Sequence, residues 1–342
     1  MLDRRTAVLG LGILPFAAGS ALSAPPPPLR KPPRLKAGDT VALIEPAGFT
    51  EDKFDLEQVL ATIRAMGLVP KPAPHVMKRY GYLAGTDKDR AADIDAVYAD
   101  KDVRAVFAVR GGWGSARVLP YLDWDVIRAN PKLLVGFSDV TALHLAFAAK
   151  TGCPTIHGPG AASSWGALSW DSFRRLAFLG ETPTWRSPAP SEDRLAPRSG
   201  IRTFRGGKAS GRLLGGNLAV LSAMVGTPYM PDFTGAILFL EETGEAEYRL
   251  DRMLTQLGLA GILGKVAGVV FGQCTRCTGE EANYSGFTVS EVLDQHFAPL
   301  AVPAFQGALI GHIANQFSMP VGIEAEIDAD AGTIRILEPV VT

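Results

Sequence analysis

The chain has 342 residues, of which 47% are hydrophobic and 20% are charged, enough apolar material for two domains with sizeable cores. Its 34 Lys and Arg residues balance 35 Asp and Glu residues, which gives a formal net charge of −1 at pH 7. This balance argues against a nucleic-acid surface or a polyanionic partner.

Residues 1–24 have the layout of an export signal. A basic start with adjacent Arg4 and Arg5 precedes an apolar run from Ala7 to Ala18, and small residues follow it. The paired arginines indicate the twin-arginine variety, and the run is too short for a comfortable membrane span. Residues 25–37, PPPPLRKPPRLKA, predict an extended, proline-stiffened linker. We therefore expect a periplasmic protein without stable membrane insertion after processing; an uncleaved leader on a cytoplasmic protein is the alternative.

From residue 38 onward, strand-like and helix-like stretches alternate. The segment DTVALIEPAG predicts a strand that ends in a turn, and residues 52–66 carry apolar side chains at helical spacing, with Gly67 as the C-cap. Further on, VRAVFAV and KLLVGF predict strands, whereas KDRAADIDAVYAD, ARVLPYL and VTALHLAFAAK predict helices. This alternation predicts a Rossmann-like parallel sheet flanked by helices over residues 38–160, with ligands at the carboxyl ends of the strands.

The pattern lapses over residues 161–204, which we interpret as a connection between domains. It resumes over residues 205–342 with the predicted strands GAILFLE, VAGVVFG and FQGALIG, helices at EYRLDRMLTQL and 290–297, and a tail that alternates like antiparallel strands. We therefore predict an α/β protein of two domains, of which the C-terminal one is mixed α/β or β-rich.

Ser138 stands where a buried strand turns directly into a helix, in KLLVGFSDVTALHLAF. A serine at such a turn projects its hydroxyl beyond the sheet, toward the backbone amides of a helix N-terminus. The second glycine of the G-x-S-x-G nucleophile motif is missing, so a plain capping role for Ser138, with Asp139 as an alternative cap, stays open.

A serine nucleophile needs a base, and the chain has five histidines. Two lie in polar stretches typical of a surface, His75 and His296, and His144 lies on the apolar stripe of a predicted helix. His157 precedes a Gly-Pro-Gly turn, and His312 follows the predicted strand FQGALIG. Position leaves His312 and His157 as candidate bases.

The base in turn needs an orienting carboxylate. In GAILFLEETGE, five apolar residues end at Glu241, which places a carboxylate at a strand terminus. Glu242 would face the other side of the strand, whereas Glu245 and Glu247 suit the dipole of the next helix. Glu241 is therefore the candidate acid.

The loop AVRGGWGSAR follows another predicted strand. Its glycines let backbone amides approach a ligand closely, as an oxyanion hole requires, and we take the N–H groups of Gly112 and Asp139 as the two donors. The loop is neither a dinucleotide fingerprint nor a P-loop, and the chain has no H-E-x-x-H or S-x-x-K. Phosphate-binding, metallopeptidase and penicillin-binding chemistry are thus disfavoured.

The chain has three cysteines, Cys153, Cys274 and Cys277. The last two form a C-x-x-C, but a structural zinc site needs four ligands and no second pair exists. We interpret them as two small residues near a strand end, with zinc or redox chemistry as the alternative, and expect neither metal nor cofactor.

Six motifs, taken in order between Gly38 and Leu337, resemble the LD-carboxypeptidase family of serine peptidases, the muramoyltetrapeptide carboxypeptidases. They are GYLAGTDKDRAADI, AVRGGWGSARVLPYLDW, VGFSDVTALH, GGNLAVLSAMVGTPYMP, LFLEETGEAEYRLDRMLTQL and GALIGH. The resemblance implies a triad of Ser138, Glu241 and His312. It also implies oxyanion donors at the positions of Gly112 and Asp139, and leaves Ser115 as a weaker candidate nucleophile.

The resemblance implies that the enzyme removes the terminal D-alanine from a murein tetrapeptide through an acyl-enzyme. Arg110 is the candidate for binding the substrate carboxylate, and Trp113 and Asn217 are further candidate contacts. A homodimer is the expected state, because members of the family often form dimers. One departure is Ala47 in the turn Pro46-Ala47-Gly48, where the family leads us to expect a serine.

Two alternatives remain open. The branch that resembles microcin-immunity peptidases, which cleave aminoacyl-nucleotides, would keep the triad and stack a base on a tryptophan such as Trp165, Trp170 or Trp185. A non-catalytic periplasmic protein that binds muropeptides is the alternative from a different class.

Overall fold

The computed structural model describes residues 27–187, 200–277 and 285–342. The predicted export signal and the first two residues of the predicted linker lie outside these ranges. The described residues form two β-sheets with associated helices, which confirms the predicted two-domain α/β class. The predicted domain boundaries at 38–160, 161–204 and 205–342 stay a prediction.

The strands are numbered in chain order. They are Thr40–Ile44 (β1), Val69–Pro72 (β2), Val103–Ala108 (β3), Leu133–Gly136 (β4), Thr155–His157 (β5), Thr184–Arg186 (β6), Arg202–Arg205 (β7), Lys208–Asn217 (β8), Ile237–Thr243 (β9), Gly268–Thr275 (β10), Ala304–Gln306 (β11), Met319–Val321 (β12), Glu324–Asp328 (β13) and Thr333–Ile336 (β14).

The α-helices follow the same numbering. They are Lys53–Ala65 (α1), Asp87–Ala99 (α2), Trp124–Ala129 (α3), Thr141–Lys150 (α4), Ala167–Ala177 (α5), Leu218–Met224 (α6), Glu247–Leu259 (α7) and Val289–Phe297 (α8). Two 3-10 helices, Ser115–Tyr121 and Ser138–Val140, precede α3 and α4. Among the described residues, no helix has the length and apolarity that a bilayer crossing requires.

The first sheet has the strand order β12-β5-β4-β3-β1-β2. Strands β1 to β5 run parallel, as the alternation of strand and helix patterns predicts. The last strand to join, β12, comes from the C-terminal part of the chain and pairs antiparallel with β5. The carboxyl ends of β3, β4 and β5 therefore meet at one edge of this sheet.

The second sheet has the strand order β6-β14-β13-β8-β9-β10-β11-β7. Its centre is the parallel run β8-β9-β10-β11, and antiparallel strands flank it on both sides. Strands β13 and β14 pair antiparallel around a turn, which confirms the prediction for the tail. Buried apolar side chains of both sheets belong to one continuous core.

Helix termini follow the local sequence. Helix α1 starts at Asp52, whose carboxylate accepts a hydrogen bond from the Asp55 amide at 2.9 Å, and Gly67 follows it with φ of +80°. Helix α2 starts with a capping box between Thr86 and Asp89. These signals confirm the predicted helices at 52–66 and in KDRAADIDAVYAD.

Three local predictions need correction. The strand predicted in FQGALIG ends at Gln306, so His312 lies on a loop six residues beyond the strand and not directly at its end. His75 is not a free surface residue, because its ring lies against the carboxylates of Asp93 at 2.7 Å and Asp89 at 3.4 Å. His296 Nε2 likewise lies 2.7 Å from Asp251 Oδ1.

Candidate active site

Ser138 occupies a strained turn between β4 and the helix that follows. Its φ is +62°, in the left-handed region that residues other than glycine rarely adopt. A backbone conformation of this kind costs on the order of 1–3 kcal/mol and is concentrated at functional sites. The chain forms this turn without the second glycine of the G-x-S-x-G motif, because Val140 at that position packs into the core.

Ser138, His312 and Glu241 form one hydrogen-bonded chain. His312 Nε2 lies 2.9 Å from Ser138 Oγ, and His312 Nδ1 lies 2.7 Å from Glu241 Oε2. With an ionised Glu241, Nδ1–H donates to the carboxylate and Nε2 accepts the serine proton. The Glu241 side chain is fully buried, whereas the His312 side chain remains 20% exposed. The three residues therefore have the geometry of a nucleophile, a base and an orienting acid.

The loop that carries His312 is held by the end of β10. The hydroxyl of Thr275 donates to the His312 carbonyl at 3.2 Å, and the ring of Phe137 lies 4.9 Å from the imidazole, measured between centroids. Cys274 and Cys277 on either side of this contact form a disulfide, which corrects their interpretation as merely two small residues near a strand end. Thr275 thereby holds the backbone of His312, and Phe137 packs against its imidazole ring.

The triad opens into a cleft of about 450 Å³. Gly111 forms one wall, and its backbone lies directly against the nucleophile, since a Cβ there would lie 3.0 Å from Ser138 Cβ. The carbonyl of Gly111 accepts a hydrogen bond from the Gly48 amide at 3.1 Å, which joins this loop to the turn after β1. Gly112 follows with φ of +120° and also lines the cleft.

Comparison with known proteins identifies the family. Residues 41–158 match the LD-carboxypeptidase N-terminal domain, and residues 210–327 match the LD-carboxypeptidase C-terminal domain. A putative carboxypeptidase of Streptomyces coelicolor is 39% identical over 91% of this chain and 97% of its own length. The chain belongs to the LD-carboxypeptidase family.

Two further relatives represent two branches of the LD-carboxypeptidases. The murein tetrapeptide carboxypeptidase of Pseudomonas aeruginosa is 31% identical, over 85% of this chain and 93% of its own length. The structure of the microcin C7 self-immunity protein MccF in complex with glutamyl sulfamoyl guanosine superposes with a TM-score of 0.82 at 25% identity. That match covers 92% of this chain and all of the MccF chain.

The predicted substrate contacts differ in their placement. Arg110 is exposed in the cleft, and its Nη1 donates to the Phe49 carbonyl at 2.9 Å. Trp113 is exposed at the rim, where its ring meets the edge of Tyr82 at 5.6 Å. Asn217 is buried, and its side chain caps α6 through the Val220 amide. The structure thus brings Arg110 into the cleft and Trp113 to its rim, but not Asn217.

Asp139 and Ser115 are joined below the cleft. The buried carboxylate of Asp139 accepts a hydrogen bond from the Ser115 amide at 2.7 Å, which ties the glycine loop to the nucleophile turn. The backbone N–H of Asp139 lies in the first turn of a 3-10 helix, where amides lack partners within the helix. The hydroxyl of Ser115 is buried, away from the cleft, which disfavours it as a nucleophile.

Glu242, the neighbour of the triad acid, has a structural environment. Its carboxylate accepts hydrogen bonds from Asn217 Nδ2 at 2.9 Å and from the Ala219 and Thr243 amides at 2.7 and 2.8 Å. Burial nevertheless raises the pKa of Glu242 to about 7, because desolvation outweighs the three donors. Glu242 therefore anchors the start of α6 and stands outside the cleft.

One buried acid near the cleft, Glu45, is not among the site residues predicted from the sequence. Glu45 accepts hydrogen bonds from the Thr50 hydroxyl, from the Thr50 amide at 2.9 Å and from the Met77 amide at 3.0 Å. It thereby holds the turn that carries Gly48, and burial raises its pKa. The signal that singled out Glu241, a carboxylate ending an apolar strand, applies equally to Glu45 and could have found it.

The tryptophans proposed for base stacking are used in packing. Trp165 packs edge-on against Trp170 and Phe173, Trp170 lies tilted against Phe173, and Trp165 Nε1 donates to the Gly160 carbonyl at 3.2 Å. Trp185 is buried and stacks on Phe317. The aromatic residues Phe49, Tyr82 and Phe137 line the cleft instead, and Trp113 contacts Tyr82.

Proposed function

We propose that this LD-carboxypeptidase removes the terminal D-alanine from murein tetrapeptides through a serine acyl-enzyme. The observation that carries the proposal is the hydrogen-bonded chain from Ser138 Oγ through His312 to the buried Glu241 carboxylate, at the floor of an open cleft. The name of the Pseudomonas relative supports the murein substrate.

The proposed reaction follows ordinary acyl transfer. His312 Nε2 takes the proton of Ser138 as Oγ attacks the terminal peptide carbonyl, and Glu241 holds the resulting imidazolium. His312 then gives the proton to the leaving amine of D-alanine. Water, deprotonated by His312, attacks the ester carbon and releases the shortened peptide from Ser138.

The oxyanion of the tetrahedral intermediate would rest on the backbone amides of Gly112 and Asp139. Two features support this assignment: the close contact of the glycine loop with Ser138, and the position of the Asp139 amide in the first turn of a helix. Removing one such donor typically costs about 3 kcal/mol of transition-state stabilisation.

A carboxypeptidase also has to bind the free carboxylate at the end of its substrate. Arg110 is the proposed partner, because its guanidinium is exposed in the same cleft as Ser138 and is already oriented by the Phe49 carbonyl. We further propose export by the twin-arginine route to the periplasm, from the motif at Arg4 and Arg5, and a homodimeric state.

The test is release of D-alanine from a purified murein tetrapeptide by the mature chain and by Ser138→Ala, with Ser115→Ala as the matched control. We expect release from the parent and from Ser115→Ala, and none from Ser138→Ala. Release that persists in Ser138→Ala would reject the nucleophile, and absence of release from every protein would reject the substrate.

A second candidate is hydrolysis of aminoacyl- or peptidyl-nucleotides by the same triad. The similarity to MccF in complex with glutamyl sulfamoyl guanosine favours it, and Trp113 or Tyr82 at the rim could stack on a base. Turnover of a peptidyl-adenylate in parallel with the tetrapeptide separates the two candidates.

A further inference from the structure

His157 is the candidate base that the triad leaves unused. Its side chain is fully buried, and neither ring nitrogen has a hydrogen-bond partner among the described residues. Buried polar groups are almost always paired, so a histidine with two unpaired nitrogens needs an explanation.

Glu241 has the complementary unpaired atom. Its Oε2 accepts from His312 Nδ1, whereas its Oε1 has no partner in the described part of the chain. The Nε2 atom of His157 lies 4.0 Å from this oxygen. That separation exceeds a hydrogen bond by about 1 Å, so a hydrogen bond between the two atoms requires the ring to tilt toward Glu241.

The surroundings of His157 keep it neutral and available. Burial, together with the neighbouring His144 on α4 and His312, holds the pKa of His157 well below its usual range. His144 does not compete for Glu241, because its two nitrogens already contact Gly136 O and Thr155 Oγ1, each at 2.8 Å. A neutral imidazole carries one N–H, and Glu241 Oε1 is the acceptor that faces it.

We propose that His157 is a positioning residue for the acid of the triad: in its Nε2–H tautomer it donates to Glu241 Oε1, opposite His312. The proposal rests on the roles proposed above for Ser138, Glu241 and His312. Each carboxylate oxygen of Glu241 would then accept a hydrogen bond from a different histidine. The two bonds together would fix the orientation of the carboxylate group that accepts from His312 Nδ1–H. It would also stabilise the ionised form of a carboxylate that water does not reach.

The test uses a reaction that is independent of the natural substrate: the rate at which an alkyl fluorophosphonate labels the nucleophile, measured from pH 5 to pH 9. We expect His157→Leu to slow labelling about 10- to 100-fold, as for a lost hydrogen bond to a charged group. The acidic limb of the profile should move to higher pH, because a carboxylate that loses a donor holds a proton more tightly. The titratable groups that face His157 and Glu241 are His312, His144 and Glu242.

Three variants control for packing. His157→Gln retains an amide donor near the place of Nε2 and should restore most of the rate, whereas His157→Asn, with a shorter side chain, should not. Phe239→Leu opens space against the same ring without a polar change, since the two rings lie 5.4 Å apart. Phe239→Leu should leave the acidic limb of the pH profile at the same pH as in the parent protein. If His157→Leu does not fold, the Gln and Asn variants carry the comparison.

The outcomes separate this role from the proposed function. A His157→Leu profile that coincides with that of Phe239→Leu would overturn the positioning role and leave Ser138 as the nucleophile. Normal labelling without D-alanine release would reject the murein substrate alone, and an unlabelled parent protein would overturn the triad together with the role of His157. Nitrogen-15 correlation spectra of the parent protein add a direct check: the Nε2–H tautomer is expected for His157, and the Nδ1–H tautomer would reject the proposal.

Discussion

His312 Nε2 lies 2.9 Å from Ser138 Oγ, although 174 positions separate the two residues in the chain. The contact joins the end of β4 in the first sheet to a loop that follows β11 of the second sheet. Neither sheet alone holds both partners, so the arrangement depends on how the two sheets pack.

We expect Glu241→Gln to lower kcat by about 10⁴-fold, as for the loss of the orienting acid in other serine triads. The neutral amide can no longer impose the tautomer in which His312 Nε2 accepts the serine proton. Steady-state kinetics with a murein tetrapeptide measure the effect. Glu245→Gln, which removes a half-buried acid paired with Arg249 outside the triad, serves as the control and should retain full activity.

We expect Gly111→Ala to abolish most activity while the protein remains folded. The new methyl group would lie 3.0 Å from Ser138 Cβ and 3.2 Å from Ser138 Oγ, so the nucleophile has to move. Gly258→Ala is the matched control, because a Cβ there meets nothing within 4 Å and stands in α7. The control should gain roughly 0.5–1 kcal/mol of stability without a change in kcat. Equal activities in the two variants would contradict the close approach.

We expect Arg110→Gln to raise KM about 10- to 100-fold with a smaller change in kcat, because a charge-assisted hydrogen bond to a substrate carboxylate is lost. Arg335→Gln, which removes an exposed arginine paired with Glu326 in the second sheet, should change neither constant. The decisive comparison is between a tetrapeptide and its C-terminal amide. Arg110→Gln should remove the preference for the free acid, and a preserved preference would assign the carboxylate to another residue.

Reduction of the Cys274–Cys277 disulfide should lower activity more than stability. The two cysteines are only three positions apart in the chain. Because the bridge closes such a short loop, its contribution to the free energy of unfolding is about 2 kcal/mol or less. However, Thr275 between the two cysteines holds the His312 carbonyl. We expect Cys274→Ser/Cys277→Ser to reduce kcat severalfold with a small shift in Tm. Full activity in the double variant would show that the turn keeps its conformation without the bridge.

The stability of the protein should fall between pH 4.5 and about 7 through Glu242. The pKa of Glu242 in the folded state is about 7, against an ordinary value of 4.5, so the folded state holds a proton that the unfolded chain releases. Its stabilising effect is complete below pH 4.5 and is lost as the pH rises to 7, with at most about 3 kcal/mol involved. Urea unfolding of the parent and of Glu242→Gln across this range measures it. A parallel pH dependence in the two proteins would assign the decline to other groups.

The sequence predicted most elements because their signals are local. The strand–turn–helix at Ser138 and the capped helices α1 and α2 each depend on a few neighbouring residues, as does Glu241, although β9 continues two residues beyond it to Thr243. These local signals indicate Ser138 and Glu241 as candidate site residues, whereas six ordered motifs carry the resemblance to the family.

Other features depend on tertiary packing and could not be predicted. His312 was expected at a strand end but lies on a loop, which Thr275 and Phe137 hold in place. Asn217 was expected at the substrate, yet it is buried with Glu242. Strand β12 has three residues, too few for a period, and only its pairing with β5 reveals it.

The position of β12 also bears on how the protein is made. This strand completes the sheet that carries Ser138, and it follows Glu241 and His312 in the chain. A growing polypeptide therefore cannot finish the sheet of its nucleophile until the acid and the base have already left the ribosome. Because of this order of synthesis, a nascent chain that still lacks Glu241 and His312 cannot contain Ser138 in a completed sheet.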